Sequence, residues 1–167
     1  MSQIDVIDAI LGEERTEHVR ELREVKPELA RQMQDYYDAL FRPSSDSDAA
    51  FPLPARFLVA IRTSSHTDSS RVTSWYASQA TEVGVSSAEV QLAMNAGSAW
   101  PEDHPLGPAM RHVDLIVDRP LESSRGDIDA LLEFGLSPQG IVVLSQVVAY
   151  VSCQVRLIAA LRALGAS

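Results

Sequence analysis

Residues 53–90 read LPARFLVAIRTSSHTDSSRVTSWYASQATEVGVSSAEV. The first ten residues of this stretch predict an apolar helix, with a proline in the first turn, where proline is well tolerated. The apolar residues between 72 and 83 recur at helical spacing, which predicts a second helix. Gly84 predicts that this helix ends at a residue in the left-handed conformation. Ser86 and Glu89 have the spacing of a capping box, so another helix is predicted to begin there. The stretch therefore predicts three consecutive helices.

Helical spacing continues through the rest of the chain, and no run alternates as a half-buried strand does. Residues 26–41 predict an amphipathic helix, and a long last helix is predicted over 137–163. Residues 42–52 are rich in Pro, Ser and Asp, which is typical of a loop. The sequence thus predicts an all-α protein, in which a helical extension (1–50) packs on the main domain (51–167).

Charge and composition exclude several classes of protein. The net charge of −9 opposes binding to a phosphate backbone, so no nucleic-acid partner is expected. The chain starts MSQIDVIDAI, which is acidic where a secretory signal is basic, and this favours a cytoplasmic protein. The uncharged run 134–155 contains many polar residues, so we expect a buried central helix and no membrane partner. Lys26, the only lysine, is expected to be solvated.

Cys153 is the only cysteine, and this limits both redox and metal chemistry. One thiol cannot form an intramolecular disulfide, a CxxC pair or a cysteine-based zinc site. His104 has acidic neighbours, but adjacent residues in a turn do not provide coordination geometry, so a surface position is expected. His112 and Asp114 are two residues apart on a predicted helix and are not expected to pair. We expect no metal and no cofactor.

Residues 53–90 resemble the central helical pair of the alkyl hydroperoxidase D-like, or carboxymuconolactone decarboxylase, superfamily. In that superfamily an apolar helix leads through a short break into a second helix, which ends in a Gly-hydrophobe-Ser turn. The resemblance extends more weakly through 106–120 and 137–165, whereas the first fifty residues lie outside it. It implies an alkyl hydroperoxidase D-like helical bundle that assembles as a homo-oligomer.

The catalytic motif of the redox-active members has been replaced in this chain. Their second helix opens with CxxCxxxH, and a glutamate on the preceding helix relays protons to the thiols. Counted back from the glycine turn, these positions fall on Ser69, Val72, Tyr76 and, for the glutamate, near Arg56. A hydroxyl is not a thiolate at neutral pH and cannot form the cyclic disulfide. A two-thiol peroxidase is therefore not expected, although the decarboxylase branch does not use the pair.

Four residues near the replaced motif are candidates for catalysis, each with a structural alternative. His66, in the break between the helices, is the best acid/base candidate, or a solvated loop residue. Ser69 is a nucleophile or a capping residue. Tyr76 donates a proton to a substrate or belongs to the core. Arg56 occupies the glutamate position.

A polar seam follows the last helix, where Gln139, Gln146 and Cys153 recur every seven residues. The seam lines a ligand pocket or subunit interface, to which we assign Gln146 and Cys153, or it faces solvent. The cysteine lies between two valines and is predicted to be buried and unreactive.

Three functions are compatible with these observations. The first is a divergent member of the superfamily that binds a small molecule, or acts as a structural homo-oligomer, without redox chemistry. The alternative is a decarboxylase-like enzyme that performs acid/base chemistry on a small organic substrate. The third is an antioxidant that uses Cys153 between subunits. Replacement of the motif favours the first.

Overall fold

The computed structural model describes residues 5–14, 16–42, 50–67 and 69–165. Over these ranges the protein is all-α, as predicted, with nine α-helices, two short 3-10 helices and no strand. The α-helices are α1 (Val6–Leu11), α2 (Glu17–Glu24), α3 (Pro27–Phe41), α4 (Leu53–Ser65), α5 (Ser70–Glu82), α6 (Ser87–Met94), α7 (Gly107–Asp118), α8 (Arg125–Glu133) and α9 (Pro138–Gly165). The 3-10 helices are Gly12–Glu14 and Pro120–Glu122.

Helix α4 is the central helix of the fold. Every residue from Ala55 to Ser64 is buried, and the helix contacts α3, α5, α6, α7 and α9. Its arginines Arg56 and Arg62 are each 1% exposed, and their guanidinium groups bind backbone carbonyls. The sequence predicted an apolar helix here, but it assigned the central position to the last helix.

The last helix, α9, has one buried face and one exposed face. Ser137 caps it through a 3.0 Å hydrogen bond from the amide of Gly140, as predicted. The prediction that Cys153 is buried is wrong: its side chain lies on the exposed face, together with Val142 and Gln146. Within the described ranges, α9 is the one helix long and apolar enough to cross a membrane, and half of its most apolar window is buried inside the protein.

The N-terminal helices pack on the rest of the protein through a shared core. Side chains such as Ile7, Val19 and Phe41 belong to the same buried cluster as α4 and α9. Helix α2 approaches the end of α9 so closely that a Cβ at Gly165 would lie 2.7 Å from a methyl group of Val19. These contacts hold the α2–α3 hairpin against α9.

The boundaries between helices follow the local sequence signals. Gly84 has a φ of 87°, and the amide after it donates to the carbonyl of Ala80 at 3.0 Å. Ser86 and Glu89 form both hydrogen bonds of the capping box. Pro27 begins α3, which ends at Phe41 as the periodicity predicted. Most of the predicted loop at 42–52 lies outside the described residues.

Candidate functional site

Arg62, which is buried, and Asp114, whose side chain is 24% exposed, form an ion pair between α4 and α7. Arg62 donates from Nε to Asp114 Oδ1 at 2.6 Å and from Nη2 to Oδ2 at 2.8 Å. This is the bidentate geometry that guanidinium and carboxylate groups favour. The other donors reach the carbonyls of Asn95 at 2.5 Å and Ser98 at 2.8 Å. One side chain therefore joins α4, α7 and the segment after α6.

His66 extends this ion pair into a charged cluster. It is the C-cap residue of α4, and its side chain is 7% exposed. Nε2 lies 2.8 Å from Asp114 Oδ1, and Nδ1 lies 2.9 Å from Asp118 Oδ1. An imidazole that faces a carboxylate at both nitrogens donates from both only when it is protonated. In the protonated ring both nitrogens can donate to these carboxylates, and neither is then free to accept a proton.

The hydrogen bonds within the cluster shift the pKa values of His66 and Asp114 in opposite directions. The hydrogen bond to Asp114 raises the pKa of His66 above its ordinary value, against the opposing effect of burial. Burial alone would raise the pKa of Asp114, but hydrogen bonds from Arg62 and His66 outweigh it and hold that pKa below its ordinary value. Each charge stabilises its neighbour, and together these contacts hold the end of α4 against α7.

Sequence reasoning placed His66 in a loop and missed both of its partners. The two aspartates lie four residues apart on α7, so they face the same side of that helix. This spacing was a usable signal. His112, only two residues from Asp114, was not expected to pair with it, and the Nδ1 atom of His112 has no hydrogen-bond partner among the described residues.

Two of the replaced motif positions, Val72 and Tyr76, are fully buried. Tyr76 donates its hydroxyl hydrogen to Gln154 Oε1 at 2.7 Å. The amide nitrogen of Gln154 lies 3.3 Å from the hydroxyl of Tyr150, which donates at 3.1 Å to the carbonyl of Met33. Burial raises the pKa of Tyr76 well above its ordinary value. Tyr76 thus takes the core position that the sequence left as an alternative to catalysis.

Arg56, at the glutamate position, serves as a brace. Its Nε donates to the carbonyl of Phe51 at 2.7 Å, and Nη1 donates to the carbonyl of Leu40 at 2.8 Å. The bond to Leu40 connects α4 to the end of α3, and the bond to Phe51 holds the segment that precedes α4.

Ser69 is the N-cap residue of α5, but its side chain makes no capping hydrogen bond. It lines a depression of about 240 Å³ with other hydroxyl-bearing residues and Met94. None of the described residues that line it is titratable, so none can activate the hydroxyl. His66, Ser69, Tyr76 and Arg56 have separate sets of partners, and the structure does not assemble them into one site.

An apolar groove lies between the α2–α3 hairpin and α9. Its volume is about 620 Å³, within the range of about 300–1,000 Å³ typical of small-molecule sites. The wall from α9 consists of Cys153, Leu157 and Leu161. The hairpin contributes Leu22, Val25, Leu29, Ala30, Met33 and Tyr36, with Arg23, Lys26 and Gln32 as the polar members. Cys153 therefore lines the groove, whereas Gln146, its predicted companion, does not.

Comparisons with known proteins neither support nor contradict the resemblance found in the sequence. No family model, no curated protein and no solved structure matches the chain. The structure establishes the all-α class, and the alkyl hydroperoxidase D-like bundle stays a prediction from the resemblance of residues 53–90. Among the described residues, no group of three His, Cys, Asp or Glu side chains is placed to hold a metal ion.

Proposed function

We propose that the protein is a non-redox binding module, a divergent relative of the alkyl hydroperoxidase D-like proteins that binds an apolar small molecule. Its binding site is the groove between the α2–α3 hairpin and α9. As the resemblance implies, it works as a homo-oligomer. The observation that carries this proposal is the contrast between two regions: three of the four replaced motif positions, Arg56, Val72 and Tyr76, are buried, whereas the groove is open.

Packing around Val72 and Tyr76 removes the space that a substrate would need at these two positions. Val72 and Tyr76 are inaccessible, and the Tyr76 hydroxyl is already bonded to Gln154. The residues therefore contribute to folding stability. Natural proteins retain an ancestral fold while function moves to another surface, so loss of the motif does not imply loss of binding.

The groove has an apolar surface that folding has left open. Val25 is 74% exposed and Leu29 is 55% exposed, although both belong to the lining. Side chains of this size are unfavourable in water, and covering them with a ligand releases that cost at about 25 cal/mol per Å². The groove thus supplies the driving force for binding an apolar molecule.

The two alternative functions receive less support from the geometry. Acid/base catalysis by His66 would need a free ring nitrogen, and both nitrogens face carboxylates. The antioxidant alternative would need the Cys153 thiols of two subunits to meet, whereas Cys153 lies on the wall of the groove that we assign to a small ligand. Peroxide turnover should be equally absent from wild type and from Cys153→Ser.

Titration with the neutral apolar probe N-phenylnaphthylamine tests the proposal. We expect saturable fluorescence enhancement with one site per chain. Leu29→Gln should weaken binding because Leu29 lines the groove and is too exposed to be needed for folding. The matched control is Leu121→Gln, since Leu121 is 99% exposed and lies outside the groove. Equal effects of the two variants, or no saturable binding, would overturn the proposal.

A further inference from the structure

We infer that the ligand of the groove is an amphipathic anion, a soluble single-chain carboxylate whose head group binds Lys26. This inference rests on the proposed function and adds the chemical class of the ligand. It follows from the charges at the rim of the groove.

Lys26 is the available cation at this site. It is the only lysine of the chain, and it lies between α2 and α3 in the lining of the groove. Its side chain is exposed and makes no hydrogen bond or ion pair with any described residue. A free ammonium group beside an apolar wall is suited to a ligand with a carboxylate at one end.

The other cation of the lining, Arg23, is already occupied. It donates to Asp5 at 2.8 Å and also binds Asp8, and its side chain is only 11% exposed. Its charge therefore serves to attach α2 to the start of α1. The remaining polar residue, Gln32, is neutral, so Lys26 determines the charge preference of the groove.

No acidic residue belongs to the described lining, in a chain whose net charge is −9. Glu21, Glu24 and Glu28 are exposed on the same hairpin but do not line the groove. Carboxylates are therefore present near the site and absent from its lining. A small monoanion reaches Lys26 with its head while its chain covers the leucines.

Larger occupants would bring more negative charge to this hairpin. A second copy seated in the groove would bring a chain of net charge −9 close to Glu21, Glu24 and Glu28, and an anionic vesicle would present many charges to them. Like charges brought together in this way oppose association. A free amphiphile with a single charge avoids most of this repulsion, and we therefore choose it as the occupant.

Displacement of N-phenylnaphthylamine by decanoate, decanol and decylammonium tests the inference on the full chain at concentrations below micelle formation. Decanoate should bind roughly fivefold more tightly than decanol, the upper range for an exposed ion pair, and decylammonium should bind most weakly. Added salt should reduce the advantage of decanoate by screening the ammonium group.

Lys26→Met should abolish the preference for decanoate while it preserves the binding of decanol. The matched control, Arg31→Met, removes a positive charge from an exposed position of α3 outside the groove and should retain the preference. Circular dichroism verifies that both variants are folded.

The outcomes separate this inference from the proposed function. Equal affinity for decanoate and decanol, or an unchanged preference in Lys26→Met, overturns the carboxylate and leaves the binding groove in place. Failure of every ligand, including the neutral probe, overturns both. If the protein associates at higher concentration and probe binding is lost at the same time, a second copy is the occupant. If the protein binds anionic vesicles in preference to free decanoate, a membrane is the occupant. Either result also overturns the inference.

Discussion

The hydroxyl of Tyr76 donates a 2.7 Å hydrogen bond to Gln154, and both side chains are completely buried. This bond joins α5 to the inner face of α9. Cys153, the adjacent residue in the chain, lies on the outer face and lines the groove. The replaced histidine position of the motif therefore helps to hold the helix that forms one wall of the proposed binding site.

Tyr76→Phe should destabilise the protein without affecting the groove. The substitution preserves the ring but leaves the buried oxygen of Gln154 without its donor, at a cost of about 1–3 kcal/mol. The free energy of unfolding in urea measures this loss. Tyr36→Phe is the matched control, because Tyr36 is 37% exposed, and it should change stability by less than about 0.5 kcal/mol. Equal stability of Tyr76→Phe and wild type would contradict the assigned role.

Asp114→Ala should be the more damaging change in the charged cluster. It leaves the 1% exposed guanidinium of Arg62 without its counter-ion, and because Asp114 itself is 24% exposed we expect a loss toward the lower end of the range of about 3–5 kcal/mol that breaking a buried pair costs. Asp118→Ala provides the comparison: the Asp118 side chain is 50% exposed, so its loss should cost less than about 1 kcal/mol. The double variant Arg62→Met/Asp114→Leu should recover part of the stability. Similar losses for Asp114→Ala and Asp118→Ala would show that the ion pair does not tether α4 to α7.

The stability of the protein should depend on pH through His66. Its pKa is raised above the ordinary value of 6.5, so its contribution is complete below that pH and is lost as the pH rises through the folded-state pKa. Asp114 acts in the opposite direction: its pKa is lowered from 3.8, so its contribution is lost as the pH falls through the folded-state value.

Urea unfolding of wild type and His66→Gln across this pH range isolates the histidine. The difference in unfolding free energy between the two proteins should be largest in mildly acidic solution and should shrink above neutral pH. The other histidines are present in both proteins and cancel in the comparison. A difference that stays constant with pH would show that His66 does not titrate as part of the cluster.

Light scattering should give a mass that is a multiple of the 18.2 kDa chain, because relatives implied by the resemblance assemble as oligomers. The assembly should be unaffected by Leu29→Gln, since we assign the groove to a small ligand and not to a second copy. A monomer at all concentrations would contradict the predicted homo-oligomer. Loss of the assembly in Leu29→Gln would place the subunit interface in the groove.

Local signals in the sequence were sufficient to predict much of the fold. Pro27, Gly84 and the Ser86–Glu89 capping box specify helix ends through hydrogen bonds within a few residues of each other. Helical periodicity also identified the apolar faces. These features depend on neighbouring residues, which explains why they can be predicted without knowledge of the tertiary structure.

The candidate site depended on contacts that periodicity does not specify. His66 meets Asp114 across 48 residues of sequence, and the groove forms where the α2–α3 hairpin leaves part of α9 uncovered. An apolar stripe indicates that a face avoids water, but it does not indicate which helix covers that face. For this reason the sequence predicted a buried Cys153, which is exposed, and a central last helix, although α4 takes that position.

Chemical modification of Cys153 tests the binding groove most directly. It is the only cysteine, so mass spectrometry assigns any reaction with N-ethylmaleimide to one position on the groove wall. The exposed thiol should react readily in the free protein, and saturating N-phenylnaphthylamine should slow the reaction. Equal rates with and without bound probe would show that the probe lies elsewhere and would contradict the assignment of the binding site to the groove.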